Sequence, residues 1–325
     1  MLAFILRRVG QSILVMLVVA LIAFTMFRYV GDPVASMVAQ EATIADREAL
    51  RDALGLNDPV YVQFARFIGN ALQGNFGISY RLQQPVAELI LSRLPATIEL
   101  AVTSVLIAIV FGISLGVFSA LKPRSIRAGI VMTLSLVGVS LPTFLIGIGL
   151  IYLFAVELQW LPSFGRGQTV QIGWWSTGFL TESGLRSLIL PAITLSLFQM
   201  TLIMRLVRAE MLEVLRQDYI RFARARGLSN RTINFGHALR NTLVPVITIT
   251  GLQLGSVIAF AIITETVFQW PGLGSLFVNS VRVVDIPVMA AYLMFVALVF
   301  VVINFVVDIL YFVVDPRLRV QGARS

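Results

Sequence analysis

The run Gly112-Ile113-Ser114-Leu115-Gly116 has the G-x-S-x-G spacing of a nucleophile elbow. That motif needs a strand before the turn, a helix after it and a histidine partner for the serine. Here it lies inside a long uncharged apolar run, and the only histidine, His237, is far along the chain. The same residues also spell G-x-x-x-G, which lets helices approach closely in lipid, as does the spacing Gly251 to Gly255. Helix packing is therefore the expectation at both places. With no Cys, there is no thiolate zinc site, iron–sulfur cluster, disulfide or Cys nucleophile. One His cannot build a His-rich metal site, and a structural hydrogen bond is expected of it. Of the 25 basic residues only Lys122 is a lysine, and Pro123 follows it. The Gly-Lys-Ser/Thr of a phosphate-binding P-loop is therefore missing. If ATP is used, another subunit hydrolyses it.

Charge in the apolar parts is sparse. Glu99 and Asp308 are the ionisable groups most nearly inside an apolar span. Such groups are costly in lipid. Each lies near the end of its run, so an interfacial position or an interhelical hydrogen bond is expected. No string of buried carboxylates exists of the sort a proton-coupled carrier uses.

The elements that must position these residues follow from composition. Of the 325 residues 58% are hydrophobic and 13% charged, against ~45–50% and about 25% in soluble chains. This is an integral membrane protein. A hydrocarbon core of ~30 Å is crossed by about 20 apolar residues. Uncharged runs of that order span 9–27, 100–121, 128–156, 187–204, 241–264 and 286–307, and each fits a spanning helix. A barrel is not expected, since its strands alternate in polarity over ~10 residues. The first run is too long for a signal-peptide core of ~7–15 residues and ends in Arg28-Tyr29 instead of a cleavage site, so it is expected to be retained.

Orientation follows from basic residues in the loops. With the N-terminus inside, the inside segments carry 16 Lys/Arg and four Asp/Glu; the outside segments carry nine and eleven. Both termini are expected to be cytoplasmic. The basic excess is then what insertion requires, and no basic stripe interleaved with aromatics points to nucleic acid. Outside, residues 31–95 read as short helices and turns: a helix over 42–53, a stop at Leu54-Gly55-Leu56-Asn57-Asp58-Pro59, and a helix over 61–72 with Tyr61, Phe64, Ala65 and Ile68 at helical spacing. A second outer segment, 163–185, carries Trp174-Trp175, which suit an interfacial belt.

Eight Arg lie between Arg205 and Arg240, in the loop between the fourth and fifth spans. Within it, Asp218-Tyr219-Ile220-Arg221-Phe222-Ala223-Arg224-Ala225-Arg226-Gly227 predicts a short helix. A helical wheel places Tyr219, Phe222 and Ala223 on one side, with Arg221 and Arg224 on the other. Gly227 suits the left-handed stop, and Ser229 can cap the next helix. A short apolar-faced helix on a basic loop is more than topology requires, and suggests a docking knob for a soluble partner.

The segment from Arg221 to Gly227, followed by His237-Ala238-Leu239-Arg240-Asn241 and Pro245, strongly resembles the EAA coupling loop of ABC importer permeases. It looks most like the B-type subunit of the dipeptide/oligopeptide/nickel family. The resemblance extends through Gly31-Asp32-Pro33, Leu54-Gly55-Leu56, the run from Gly74 to Tyr80, and the run from Arg93 to Leu100. It continues in the run from Glu265 to Gly274 and in Asp315-Pro316-Arg317-Leu318-Arg319. The general EAA pattern has Glu, Ala and Ala six, five and four residues before its Gly. Here those positions are Arg221, Phe222 and Ala223, so Ala223 and Gly227 alone match, and the gap to Pro245 is longer. Both departures are features of the peptide subfamily.

The resemblance implies an all-α integral membrane fold, the six-helix type I importer permease. A small extracytoplasmic domain follows helix 1, and a cytoplasmic coupling helix lies between helices 4 and 5. It divides the chain into 1–30 with the first span, the outer segment 31–95, a core 96–314 holding the coupling loop 209–240, and a cytoplasmic tail 315–325. It implies import of di- or oligopeptides across the bacterial cytoplasmic (inner) membrane by alternating access. The implied partners are a second, C-type permease, two cytoplasmic ATPases holding ATP and Mg, an external binding protein and the lipid bilayer. No cofactor is expected on this chain. Coupling falls to Asp218, Tyr219, Arg221, Phe222, Ala223, Arg224, Ala225 and Gly227. The polar residues Ser196, Gln199, Gln253 and Asn304 are the candidates for the translocation path. By position, the outer segment 31–95 is expected to help meet the binding protein. Alternatives are a nickel chelate, glutathione, an opine or an oligosaccharide as solute, or, from another class, an ion-coupled secondary transporter working alone.

Overall fold

The computed structural model describes residues 2–29, 43–53 and 56–314. Gly31-Asp32-Pro33, Leu54-Gly55 and the terminal Asp315–Arg319 motif lie outside the described residues. In order, the helices are α1 (Leu2–Tyr29), α2 (Ile44–Ala53), α3 (Val60–Leu72), α4 (Val86–Leu121), α5 (Ile126–Ser140) and α6 (Thr143–Leu150), which continues as a π-helix over Ile151–Glu157. A hairpin of β1 (Val170–Ile172) and β2 (Trp175–Thr177) follows. Then come α7 (Glu182–Val214), α8 (Asp218–Ala225), a π-helix over Thr232–Ala238, α9 (Leu239–Val267), α10 (Leu273–Arg282) and α11 (Ile286–Val314).

Among the described residues, α1, α4, α7 and α11 are long and apolar enough to cross a membrane, with a fifth crossing if the pair α5–α6 is counted as one. Here one expectation fails. The run 128–156 is not a single helix: α5 and α6 meet at a bend of 112° around Leu141-Pro142. Pro142 has no N–H to give to the helix and pushes the residue before it out of the helical region. The hairpin is a second departure from an all-helical chain. It pairs Val170 with Thr177 and Ile172 with Trp175, around the turn Gly173-Trp174, where Gly173 has φ +61.

The chain divides into two compact units. The first comprises residues 1–95 and 272–302. In it, α3 lies against the C-terminal part of α1. The Phe64 ring sits 5.4 Å edge-on from Phe24, and Phe67 sits 5.6 Å from Phe27. Asp285, buried just before α11, accepts hydrogen bonds from the Ser79 hydroxyl and from the backbone N–H of Tyr80 at 3.1 Å and of Arg81 at 3.3 Å. One carboxylate therefore holds the turn that precedes α4.

The second unit comprises residues 96–271 and 303–325. Its centre is α7, whose start is capped by Thr181: the Oγ1 accepts from the Gly184 N–H at 3.1 Å. Helix α4 crosses α7 at the two glycines of the elbow-like run. A Cβ on Gly112 would stand 2.9 Å from the Ile203 Cβ, and one on Gly116 would stand 2.7 Å from the Val207 Cβ. The G-x-x-x-G spacing is thus a packing surface. Helix α5 meets α7 through the Thr201 hydroxyl, which donates to the Ser135 carbonyl at 3.1 Å. Around α7 runs a core of Ala108, Val117, Ile203, Val207, Met211 and Val246 at one end. Ala96, Leu100, Leu188, Leu195, Ala261 and Trp270 form another.

Candidate functional site

The basic loop begins where α7 ends. Leu215, Arg216 and Gln217 close a turn on the last carbonyls of α7, and extended backbone at Gln217 starts α8. Asp218 stands in the first turn of α8 and Arg224 in its last, so both charges complement the helix dipole. The stop is the one the glycine suggested. Gly227, at φ +77, donates its N–H to the Arg224 carbonyl, and the Leu228 N–H reaches the Ala223 carbonyl. That is a Schellman close, which needs a left-handed residue at this point. Two residues on, the Ser229 Oγ accepts from the Thr232 N–H at 3.2 Å and caps the next helical segment, as expected.

The side of α8 that the helical wheel groups as Tyr219, Phe222 and Ala223 is divided between interior and solvent. Ile220 and Ala223 are the buried residues, packed with Val207 and Met211 of α7 and with Ile233 and Ala238 beyond the loop. Phe222 points the other way and is 64% exposed, with the Arg226 guanidinium 5.8 Å from its ring centre. Complete burial of Ile220 recentres the inward face, and the turn that brings Ile220 in carries Phe222 out. Tyr219 lies at the flank, where its hydroxyl accepts from the Asn241 amide at 2.7 Å. This bond ties the start of α8 to the last residue of the His237–Asn241 segment across the loop. The exposed ridge of α8 therefore consists of Asp218, Arg221, Phe222 and Ala225, with Arg224, Arg226 and Gly227 also exposed. The Arg221–Asp218 ion pair at 3.3 Å is open to solvent and adds little to stability. His237 is exposed on the π-helix. Among the described residues no group of His, Asp and Glu could hold a metal.

Ser196 and Gln199 are buried on α7, and the Ser196 hydroxyl donates to the Ile193 carbonyl of its own helix. Asn304 is half-buried on α11, and the Gln253 and Asp308 side chains lie outside the described residues.

Glu99 sits in an ionic site that spacing did not reveal. The carboxylate is 2% exposed and its Oε2 is 2.6 Å from Arg166 Nη2. Arg166 also donates to the Ser176 carbonyl at 2.6 Å and to its hydroxyl at 3.1 Å, while the Gly178 N–H reaches Glu99 Oε2 at 3.3 Å. One arginine thus fastens strand β2 to α4. Nearby in sequence, Thr97 donates to the buried Glu265 at 2.6 Å, and the Trp270 indole donates to the Ala96 carbonyl at 2.9 Å. Sequence reasoning missed Arg166, Glu265 and Asp285. The one available hint was Arg166 standing between two glycines, both of which adopt positive φ.

The family model for binding-protein-dependent transport system inner membrane components matches residues 112–320. The model for the N-terminal part of such membrane components matches residues 1–101. The chain is 42% identical over 336 residues to the di/tripeptide transport system permease protein DppB of Pseudomonas aeruginosa (strain UCBPP-PA14), covering 99% of this chain and 100% of that protein. It is also 42% identical over 322 residues to the oligopeptide transport system permease protein AppB of Bacillus subtilis (strain 168), covering 98% and 100%. To the glutathione transport system permease protein GsiC of Shigella flexneri serotype 5b (strain 8401) it is 37% identical, over 98% and 99%. Among solved structures, a chain of the inward-facing MetNI methionine ABC transporter superimposes with a TM-score of 0.55 at 18% identity, over 70% of this chain and 96% of that one. That likeness concerns the fold.

Proposed function

Because the chain belongs to the family of binding-protein-dependent transport system inner membrane components, we propose that it is the permease subunit of an ATP-driven importer of di- and oligopeptides. The observation that carries this is the full-length match at 42% identity to a di/tripeptide permease and to an oligopeptide permease. It is a multi-pass protein of the inner membrane. We place both termini in the cytoplasm, from the basic bias of the loops, and count six crossings, with the bent α5–α6 pair as one and the 29-residue α9 as another.

In this arrangement ATP and Mg sit on two partner ATPases. A second permease completes the path, and an external binding protein delivers the solute. Helix α8 is the coupling element. Its inner face, Ile220 and Ala223, is locked to α7, so a push on the outer ridge at Phe222 is transmitted to the long helix instead of being lost in a loose loop. The likeness to a glutathione permease supports one second reading, glutathione as the solute of the same machinery.

The test is uptake of labelled dipeptides, tripeptides, longer peptides and glutathione into proteoliposomes holding the assembled transporter. Uptake that requires ATP, both ATPases and the binding protein is expected. Uptake by this chain alone, driven by an ion gradient, would overturn the proposal.

A further inference from the structure

Helix α3 (Val60–Leu72) carries three stripes, of which two have partners among the described residues. Phe64 and Phe67 pack on Phe24 and Phe27 near the C-terminal end of α1. The polar stripe is Gln63, Arg66 and Asn70, and its first two members reach the preceding turn. There the Gln63 amide donates to the Leu56 and Asp58 carbonyls at 2.8 and 2.7 Å, and Arg66 pairs with the Asp58 carboxylate at 2.7 Å. The third stripe is Tyr61, Ala65, Ile68 and Leu72, spaced four, three and four apart on one helix face. Tyr61 is 75% exposed and Leu72 83%. This face is apolar throughout, and the charge of the helix lies elsewhere.

The height of α3 along α1 is set by the phenylalanine contacts. Phe24 and Phe27 fall in the last turn and a half of the uncharged run, which ends at Arg28. At 1.5 Å per residue, Phe24 is about 6 Å of helix below that charge. An amphipathic helix that lies on a membrane buries its apolar face about 5–10 Å into the boundary of headgroups and acyl chains, and Tyr is enriched at that depth. The exposed apolar side of α1, with Leu14, Leu17, Val18, Leu21 and Ile22, runs up to the same level.

We infer that α3 is an interfacial helix: its stripe Tyr61–Ala65–Ile68–Leu72 is seated in the bilayer surface at the C-terminal end of α1, continuous with the lipid-facing side of that span. The outer segment is then moored to lipid through α3, and the α3 apolar face is not the surface that receives the binding protein. This rests on α1 crossing the membrane and is independent of the transported solute.

The chain has no Cys, so single labels can be placed without a background. Tyr61→Cys, Leu72→Cys, Arg66→Cys and Asn70→Cys, each carrying an environment-sensitive fluorophore, are reconstituted in phosphatidylethanolamine/phosphatidylglycerol nanodiscs, as the full-length chain alone and with the partner subunits. Labels at 61 and 72 are expected to emit at shorter wavelength in both states. Doxyl-phosphatidylcholine should quench them several-fold more strongly than the labels at 66 and 70, which stay open to aqueous iodide. Iodide access at 61 and 72 in both states overturns the inference. So does protection from both quenchers that develops only with the partner subunits, which assigns the face to a protein.

Discussion

Arg166 and Glu99 form a buried ion pair at 2.6 Å that ties the β1–β2 hairpin to helix α4. The geometry is asymmetric. Glu99 Oε2 carries the arginine and the Gly178 N–H, while Glu99 Oε1 and Arg166 Nε are buried with no hydrogen-bond partner among the described residues. Removing one partner of such a pair is costly, because the other charge is left buried alone.

Arg166→Ala and Glu99→Ala are therefore each expected to lower stability by roughly 3–5 kcal/mol. The double variant Glu99→Gln with Arg166→Met should recover much of that loss. Thermal unfolding of the purified protein in detergent, followed by tryptophan fluorescence, reads the difference. A double variant no better than the singles would show that the charges themselves are not what the fold misses.

The α4–α7 crossing makes a sharper steric prediction. A Cβ at Gly116 would stand 2.7 Å from the Val207 Cβ and 2.8 Å from the Met204 carbonyl oxygen, whereas one at Gly149 meets nothing within 4 Å among the described residues. Gly116→Ala should cost about 1–3 kcal/mol through overpacking, and Gly116→Leu should abolish the folded protein. Gly149→Ala serves as the control and should leave the melting temperature unchanged. Equal melting temperatures for Gly116→Ala and Gly149→Ala would contradict the close approach.

On the coupling helix, conformation and contact can be separated. At Gly227 no atom of the described residues lies within 4 Å of an added Cβ, so the positive φ is what penalises substitution. Gly227→Val is expected to cost about 1–2 kcal/mol in that left-handed conformation and to depress transport, whereas Gly227→Asn should retain most of it, since Asn adopts this conformation readily. The ratio of the two uptake rates in proteoliposomes decides the matter.

Phe222 should behave in the opposite way. Its ring is exposed, so Phe222→Ala is expected to change stability by no more than about 0.5 kcal/mol. Peptide-stimulated ATP hydrolysis by the assembled transporter should nevertheless fall several-fold. Full stimulation with normal uptake would remove Phe222 from the coupling ridge.

In the other unit, Asp285 is the clasp of the turn before α4. Asp285→Ala leaves the Ser79, Tyr80 and Arg81 donors without their acceptor, at a cost of about 1–3 kcal/mol. Arg81, at the released turn, should become a site of rapid trypsin cleavage. Mass spectrometry of the first fragments distinguishes this from cleavage in the basic loop 205–240.

The membrane class, the run positions, the short helices at 44–53 and 60–72, and the limits of α8 were legible in the sequence. All are written in neighbouring residues: uncharged length, helical spacing, a glycine that must turn left-handed, and a serine able to cap. The family was legible too, through motifs in order along the chain. The inward face of α8 was not, because Ile220 and Phe222 are both apolar and only the space beside Val207 and Met211 chooses between them. Nor was the break at Pro142, which hydropathy passes over because Leu141 and Pro142 bear no charge. The Glu99–Arg166 pair spans 67 residues and the Ser79–Asp285 bond spans 206. Local preferences act over a turn of helix or a tight loop; which distant charges meet is decided when the helices pack, since only a dry site makes pairing them necessary.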